Sequence, residues 1–345
     1  MAARSAIPAA DTQGRIAVTK SNSRLSFAAV GAVLALLHAA PAMGVTFAKT
    51  YVSGTGSDAN NCSTILLACA TFATALASTA PGGEITVVNT GNFGTVTINQ
   101  SINITNDGAG EAGILTGGTA GIAISAGAGD IVGLRGLVID GQGIGNIGIS
   151  IVQASAVHIQ NCVIRNVQAL GPLTFGLILQ HLTNTQLFVS DTIIFNNGSG
   201  ATSGGIFIQP QAAVSANVVL DRVHLENNVV GLLVDGTAST GNGAHVVIRD
   251  SVVSGNASDG IRAHTTAGKA PAFLVVEHTT SVTNGGTGIL ANGPRATMLL
   301  DGNVVSRNGA GISAINGGQL ISYGNNRVNN NLGADGVPTG SYSPI

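Results

Sequence analysis

Short apolar segments, each opened by a glycine, recur at a nearly constant interval along most of the chain. Within each segment apolar residues alternate with small or polar ones, as in a β-strand with one buried face. Successive glycines are 23 to 29 residues apart, at Gly121, Gly148, Gly176, Gly205, Gly231, Gly260, Gly288 and Gly311. A repeat of this length built from short strands is typical of a solenoid.

A series of asparagines keeps the same period, and each member follows a short Val/Ile segment. The series is Asn197, Asn227, Asn256, Asn284, Asn308 and Asn330. Clusters of Gly, Asn, Ser and Asp mark turns between the apolar segments. The pattern predicts an all-β fold, a parallel β-helix of roughly 9–10 turns. We expect a right-handed helix because parallel crossovers almost always take that hand.

Stacking of turns gives each of the two series a structural interpretation. Adjacent turns of a parallel sheet lie about 4.8 Å apart, so equivalent residues form columns. Stacked asparagines can hydrogen-bond to one another and to the turn backbone. The glycines are expected at corners that need a positive φ or a close backbone approach. Both columns are therefore interpreted as scaffold.

The beginning of the chain predicts an export signal over residues 1–42. Lys20 and Arg24 precede an apolar run over residues 25–40, and a small-residue A-x-A site ends at Ala42. The polar leader is long for a signal peptide. A mis-assigned start and an uncleaved membrane anchor are the alternatives. No other apolar run is long enough to predict a membrane span in the mature chain.

The rest of the chain divides into three predicted parts. Residues 43–83 are expected to hold a strand, a disulfide loop and a short capping helix. That helix is predicted over Ala70–Ala80 and is expected to stop at the sequence Pro81-Gly82-Gly83. Residues 84–331 are the predicted β-helix, and residues 332–345 are a loose C-terminal tail.

Three cysteines indicate an oxidising compartment. Cys62 and Cys69 flank a polar loop, and a disulfide between them would stabilise the fold by roughly 2.5 kcal/mol on the loop-entropy estimate. Cys162 lies in an apolar strand and is interpreted as an inert buried residue. The formal net charge of −2, without a basic patch, argues against a nucleic-acid partner. No oligomeric state is predicted.

Four stretches at the predicted mature start carry a family resemblance: YVSGTGSD (51–58), CATFATALA (69–77), PGGEITV (81–87) and GNFGTVTI (91–98). They resemble the opening of the pectate-lyase-like, right-handed parallel β-helix superfamily, in which a capping helix, a Pro-Gly-Asp-type turn and a Gly-x-Tyr strand follow in order. Here Glu84 stands near the usual acidic position and Phe93 replaces the usual Tyr. The resemblance covers residues 51–331 and implies the fold. It does not choose among lyases, hydrolases, epimerases and members of no known activity.

Relatives of this kind place their cleft on the outer face of one long sheet, so the resemblance directs attention to the columns beside the glycines. Two residues after each glycine stand Ala123, Ser150, Ile178, Phe207, Leu233, Arg262, Leu290 and Ser313. Four residues after each stand Ser125, Val152, Gln180, Gln209, Asp235, His264, Asn292 and Ile315. The second column is polar through its middle. Its Gln180, Gln209 and Asn292 are predicted to bind substrate, together with the aromatic Phe207 of the first column.

Three ionisable residues on adjacent turns are the catalytic candidates. Arg262 would hold a uronate carboxylate, His264 would serve as general acid or base, and Asp235 would orient the imidazole. A lyase would remove the proton α to the carboxylate and then eliminate. The alternative is a solvated exterior with one incidental ion pair. No metal site and no cofactor are predicted, since calcium lacks a clear motif: only Asp235 and Asp259 are nearby acids.

Polar residues elsewhere receive structural interpretations. The corner acids Asp191, Asp221 and Asp250 are expected to cap turns or to pair with Arg222 or Arg249, and Asp58 is expected to cap a turn. We therefore predict a secreted, periplasmic or cell-surface protein that binds, or also modifies, an acidic polysaccharide or cell-surface glycan. The alternative is a non-catalytic surface or matrix solenoid that serves adhesion or structure.

Overall fold

The fold is described from a computed structural model that covers residues 46–118, 120–171, 173–211 and 213–343. The predicted signal peptide, residues 1–42, lies outside these residues. The described chain forms three parallel sheets, which we name A, B and C. From β5 to β29 consecutive strands pass from sheet A to sheet B to sheet C and back. The predicted parallel β-helix is confirmed.

The twelve strands of sheet A are β1 (Phe47–Val52), β2 (Thr79–Val87), β5 (Ile102–Thr105), β8 (Ile131–Arg135), β11 (Ala156–Gln160), β14 (Thr185–Ser190), β17 (Ser215–Asp221), β20 (Gly243–Arg249), β23 (Ala272–Glu277), β26 (Ala296–Asp301), β29 (Gln319–Ser322) and β31 (Gly340–Ser341). The ten strands of sheet B are β3 (Gly91–Asn92), β6 (Ala112–Leu115), β9 (Leu137–Asp140), β12 (Val163–Arg165), β15 (Ile193–Phe195), β18 (His224–Glu226), β21 (Val252–Ser254), β24 (Thr280–Val282), β27 (Val304–Ser306) and β30 (Arg327–Asn329).

The nine strands of sheet C are β4 (Val96–Ile98), β7 (Ala120–Ser125), β10 (Ile147–Gln153), β13 (Phe175–Leu179), β16 (Gly204–Ile208), β19 (Val230–Asp235), β22 (Ile261–His264), β25 (Thr287–Asn292) and β28 (Ala310–Ile315). Alternate residues of all three sheets point inward, for example Ile206 and Ile208, which are fully buried. These inward residues form one continuous apolar core along the axis.

Buried asparagines form the expected ladder at the corner between sheets B and C, but two of its members differ from the prediction. The side-chain amide of Asn256 donates to Asn284 Oδ1 at 2.8 Å, and Asn284 donates to Asn308 Oδ1 at the same distance. Asn228 and Asn331 belong to this ladder, whereas the predicted Asn227 and Asn330 are exposed. Each of the latter holds the positive-φ position just before the ladder residue.

The column positions require glycine because the backbone of the next turn approaches closely, and not because they adopt a positive φ. A Cβ on Gly231 would lie 2.5 Å from the carbonyl oxygen of Gly260, and one on Gly260 would lie 2.7 Å from that of Gly288. Neither glycine has a positive φ. Any side chain here would collide with the backbone of the next turn.

Helix α1 (Phe72–Ser78) covers the N-terminal end of the core and is shorter than predicted. The ring of Phe72 lies 5.0 Å from that of Phe93, and Phe72 is fully buried. The helix ends because β2 begins at Thr79, so Pro81-Gly82-Gly83 lie within a strand. Asp58 accepts hydrogen bonds from the N–H groups of Ala70 and Thr71 at 2.9 and 3.0 Å, which fits its predicted capping role.

Near helix α1, a 3₁₀ helix (Ile65–Leu67) lies inside the loop closed by the Cys62–Cys69 disulfide. The predicted pairing of these cysteines is thus present, and Cys162 is buried and unpaired. No helix of the described residues is long and apolar enough to cross a membrane.

The C-terminal segment is ordered against the last turn, contrary to the predicted loose tail. The N–H groups of Gly311 and Ile312, on the last strand of sheet C, donate to the carbonyls of Ala334 and Asp335, each at 2.9 Å. Strand β31 pairs with β29. The segment therefore satisfies backbone groups that the last turn would otherwise expose.

Candidate functional site

The strand register places the predicted outward columns on the outer face of sheet C. Ser150, Ile178, Phe207, Leu233 and Arg262 pair in sequence across adjacent strands. Two residues further on, Asp235 pairs with His264, and His264 pairs with Asn292. The glycine spacing therefore predicted correctly which residues stack.

A polar row runs along the second column, parallel to the solenoid axis; we define it as Gln180, Gln209, Asp235, His264 and Asn292. The amide of Gln180 donates to Gln209 Oε1 at 2.8 Å, and the amide of Gln209 donates to Asp235 Oδ2 at 3.1 Å. All five side chains are partly exposed. Three predicted binding or catalytic residues thus form one hydrogen-bonded chain across three turns.

Asp235 and His264 face each other with 3.9 Å between Oδ1 and Nδ1. The same Oδ1 accepts a hydrogen bond from the N–H of Thr237 at 2.7 Å, which fixes the carboxylate. The Asp235 side chain is 13% exposed and that of His264 is 37% exposed. At 3.9 Å this contact is longer than a hydrogen bond. If the two groups closed to hydrogen-bond distance, the carboxylate would favour the tautomer in which Nε2 can accept a proton.

Arg262 is held by a partner outside the predicted triad. Its Nε and Nη2 both contact Oδ2 of Asp259, with the Nε contact at 2.6 Å. Asp259 is 5% exposed and also accepts from the N–H of Thr287 at 2.7 Å. The guanidinium charge is therefore largely compensated, while Nη1 is left out of the pair.

Phe207, the predicted aromatic binding residue, is 4% exposed and lies in a separate apolar cluster on the outer face of sheet C. Its ring stacks on Phe175 at 4.9 Å with 13° between the planes. Ile178, Val230 and Leu233 complete the cluster. Both ring faces are thus removed from solvent or from sugar stacking, so the polar row carries the candidate site without it.

Sequence reasoning missed three polar residues at the row. Gln211 donates to Gln209 Oε1 at 2.6 Å, and Asn316 donates to Asn292 Oδ1 at 2.9 Å. Asp259 was considered only as a calcium ligand. Asp259 directly precedes the column glycine Gly260 and lies two residues before β22, which carries Arg262. That position is a usable signal, because a residue there lies close to the same outer face.

Two of the three corner acids, Asp191 and Asp221, form ion pairs, as one of the two predicted interpretations required. Arg222 Nε contacts Asp191 Oδ1 at 2.7 Å, and Arg249 Nε contacts Asp221 Oδ1 at 3.0 Å. Asp221, however, is the last residue of β17, and Arg222 occupies the positive-φ corner aligned with Asp191 and Asp250. Hydrogen bonds from Arg222 lower the pKa of Asp191. This network stabilises the corner.

Two other chemical candidates are less suitable as sites. His181 is fully buried, and burial lowers the pKa of its imidazole. A cleft of about 690 Å³ between helix α1 and the start of sheet C is lined by residues such as Leu76, Pro81 and Gln100, none of them ionisable. Among the residues described, no group of three or more His, Cys, Asp or Glu side chains is arranged to hold a metal ion.

Comparisons with known proteins agree with the architecture. A pectate lyase, Pel9A, shares 14% identity with a TM-score of 0.51, over 84% of this chain and 80% of its own. An alginate lyase from Paenibacillus sp. shares 12% identity with a TM-score of 0.53, over 86% and 98%. The ORF18 protein of Geobacillus virus E2 shares 13% identity with a TM-score of 0.51, over 93% and 65%. At such identities the likeness shows the fold alone.

No curated protein matches the sequence. The family model described as "Right handed beta helix region" matches residues 149–332, which is just over half of the chain. The match includes Gln180, Asp235, His264 and most of the glycine column. The chain therefore belongs to the right-handed β-helix family.

Proposed function

We propose that the protein binds an acidic, uronate-type polysaccharide whose chain lies along the polar row. The proposal rests on the direction of the polar row, which crosses the strands and presents one polar side chain on each of its turns. At about 4.8 Å per turn, the row offers a contact roughly every 4.8 Å to an extended polymer. The family resemblance of the fold to polysaccharide-acting proteins supports the same substrate class.

The side chains of the row suit the functional groups of such a polymer. Gln180 and Asn292 each carry an amide that can donate to and accept from sugar hydroxyls. Gln209, whose amide oxygen already accepts two hydrogen bonds, keeps one N–H to donate. Arg262, one column away, has Nη1 outside its ion pair with Asp259 and can donate to a uronate carboxylate. The proposed recognition thus uses amides to hydrogen-bond the sugar hydroxyls and one guanidinium to bind the uronate carboxylate.

Binding is tested by titrating the purified protein with polygalacturonate and alginate, with a neutral galactan as the comparison polymer. Gln209→Ala removes the central amide and is expected to weaken uronate binding about tenfold, the effect of losing one or two hydrogen bonds. Gln186→Ala, an exposed change on sheet A, is the matched control and should leave affinity unchanged. Equal binding of the neutral polymer would contradict the proposal.

The Asp235–His264 geometry supports a second candidate, β-elimination on the bound uronate. His264 Nε2 would take the proton α to the carboxylate, and the electron pair of the broken C–H bond would form the ring double bond as the bond from the β-carbon to the glycosidic oxygen breaks. The leaving oxygen would take a proton from water. Asp235 would stabilise the protonated imidazole. An absorbance assay for unsaturated product, with and without calcium, tests it. Activity that survives His264→Ala would contradict this mechanism.

The two candidates can fail separately. Binding without product formation would leave a carbohydrate-binding solenoid. Silence in both assays and on a glycan array would favour the alternative, a non-catalytic surface or matrix solenoid that serves adhesion or structure. Export belongs to the proposal as well, and the Cys62–Cys69 disulfide supports an oxidising compartment.

A further inference from the structure

A missing side chain in one outward column of sheet A opens a polar pocket far from the row in sequence and on a different sheet. Asn103, Gly133, His158 and Phe188 pair in that order on consecutive turns. Gly133 contributes no side chain to this column, while its neighbours on both sides do. The result is a concavity of about 230 Å³ between Asn103 and His158.

The next outward column supplies the rim of this pocket. Thr105, Arg135 and Gln160 pair across the same strands. Arg135 Nε contacts Asp107 Oδ1 at 3.0 Å, with the two side chains 53% and 65% exposed. An ion pair this exposed contributes little free energy, so the guanidinium can turn to a ligand at small cost.

Two polar groups in the pocket wall lack protein partners. Within the described ranges, neither the Asn103 amide nor the ring nitrogens of His158 make a hydrogen bond to the protein. The His158 ring stacks on Phe188 at 4.8 Å with 10° between the planes, which fixes its orientation. A Cβ on Gly133 would lie 2.3 Å from Asn103 Oδ1, so this amide leans over the gap.

Two acids lie beside the pocket, and both have partners: Asp107 pairs with Arg135, and Glu84 is held by hydrogen bonds. Glu84, which pairs by register with Asn103, accepts hydrogen bonds from Lys49, Thr86 and Thr105 at 3.0, 2.7 and 3.1 Å. These hydrogen bonds, first that of Thr86, lower the pKa of Glu84. The groups left to face a ligand are therefore mainly hydrogen-bond donors, and the positive charge among them is that of Arg135, whose only ion-pair partner among the described residues is the exposed Asp107.

We propose that this pocket binds the carboxylate of a single uronic-acid residue, as a second sugar site on sheet A. Arg135 provides the charge-assisted hydrogen bonds that a planar carboxylate prefers. The Asn103 amide and the His158 ring reach the ring hydroxyls of the same residue. The site requires Gly133, since a larger residue would collide with the Asn103 amide that leans over the gap and would push it into the space of the sugar.

The test follows the Cε1–H NMR resonance of His158 during titration of the full protein with galacturonate, galactose and acetate. The resonance is assigned from a His158→Gln variant. Galacturonate is expected to shift it in a saturable way. Gly133→Val, which fills the pocket, and Arg135→Gln, which removes the charge, should each weaken this binding about tenfold. Gly133 has no positive φ, so its backbone accepts a side chain.

Arg327→Gln is the matched control, because Arg327 is exposed on sheet B without an ion pair among the described residues. It should leave the titration unchanged. Binding of galactose as tight as that of galacturonate would overturn the assignment, and so would acetate competing equally well, since that marks a general carboxylate site. Unchanged affinity in Arg135→Gln would overturn it even if Gly133→Val fails to fold. Asp235→Ala should not affect the His158 shift. The proposal for this pocket and the proposal for the polar row are therefore tested separately, and one can be wrong while the other holds.

Discussion

Asp335 Oδ1 accepts hydrogen bonds from both the backbone N–H and the side-chain amide of Asn331, at 3.1 and 2.8 Å. Asn331 Oδ1 accepts the same two bonds from Asn308, at 2.9 and 3.0 Å. A carboxylate in the C-terminal segment thus takes the place that the next ladder asparagine would occupy. The segment around Asp335 completes the ladder and is part of the folded unit.

This cap predicts a pH-dependent contribution to stability. The hydrogen bonds from Asn331 lower the pKa of Asp335 below its usual value. A carboxyl group whose pKa is lower in the folded state stabilises the protein above its unfolded pKa of about 3.9, and this stabilisation is lost as pH falls through the folded pKa. Asp335→Ala should therefore lower the Tm at pH 7 and have a smaller effect at pH 3.

Other carboxyls titrate in the same range, so the measured quantity is the Tm difference between wild type and variant at each pH. Asp335→Asn is the control, because it keeps an acceptor oxygen without the charge. Its Tm difference should be smaller than that of Asp335→Ala. A difference that is constant from pH 7 to pH 3 would show that the carboxylate has no role in the cap.

A second prediction concerns the interior of the ladder. Asn256 Oδ1 accepts from the N–H of Asn228 at 3.0 Å, and its amide donates to the Leu225 carbonyl and to Asn284. Asn256→Ala leaves these buried groups unpaired and should cost about 3 kcal/mol. Asn227→Gly, at the exposed positive-φ position next to the ladder residue Asn228, should change the free energy of unfolding by less than about 0.5 kcal/mol. Urea unfolding of both variants checks the contrast, and equal midpoints would contradict it.

The pair Asn227 and Asn228 shows how far the sequence alone reaches. The glycine spacing predicted strand register and stacking across sheet C, because each turn repeats the same backbone path. It could not decide which of two adjacent asparagines points inward, since both keep the period. Only turns with a single asparagine, such as that of Asn256, show that the second corner position is buried.

The candidate site was predictable to a similar extent. The column positions predicted that Asp235 lies beside His264. The partner of Arg262, however, depends on how the chain bends before β22, and that bend brings Asp259 within reach. Phe207 was expected to be accessible because its column faces outward. A cluster of apolar side chains from the neighbouring strands of sheet C, among them Phe175 and Leu233, covers it instead. An outward position in a column does not show whether the side chains around it bury the ring.

A third prediction concerns the chemical reactivity of Cys162, the buried cysteine outside the disulfide. Burial raises the pKa of Cys162 to about 11, with no compensating partner strong enough to restore it. Because the thiolate is the reactive form, the native protein at pH 8 should resist iodoacetamide and react fully once unfolded in urea. Mass spectrometry measures the extent of labelling. Rapid labelling of Cys162 in the native state would contradict its burial.

A fourth prediction follows from the charge compensation of Arg262 and rests on the proposed binding of acidic polysaccharide. Asp259→Asn preserves the shape of the side chain and its acceptor for the Thr287 N–H, but it removes the negative charge that now neutralises the guanidinium. The surface beside the polar row then gains one unit of positive charge. Polygalacturonate should bind about three- to tenfold more tightly at low salt, and the gain should shrink as salt screens the charge.

Asp301→Asn serves as the matched control for this gain, because it removes the same charge from sheet A, where Asp301 accepts a hydrogen bond from Asn325. Its effect on polygalacturonate binding should be less than about twofold, since separated exposed charges are screened. In the double variant Asp259→Asn with Arg262→Gln the gain should vanish, because no freed guanidinium remains. If the double variant binds as tightly as Asp259→Asn alone, the added affinity comes from elsewhere and Arg262 does not contact the polymer.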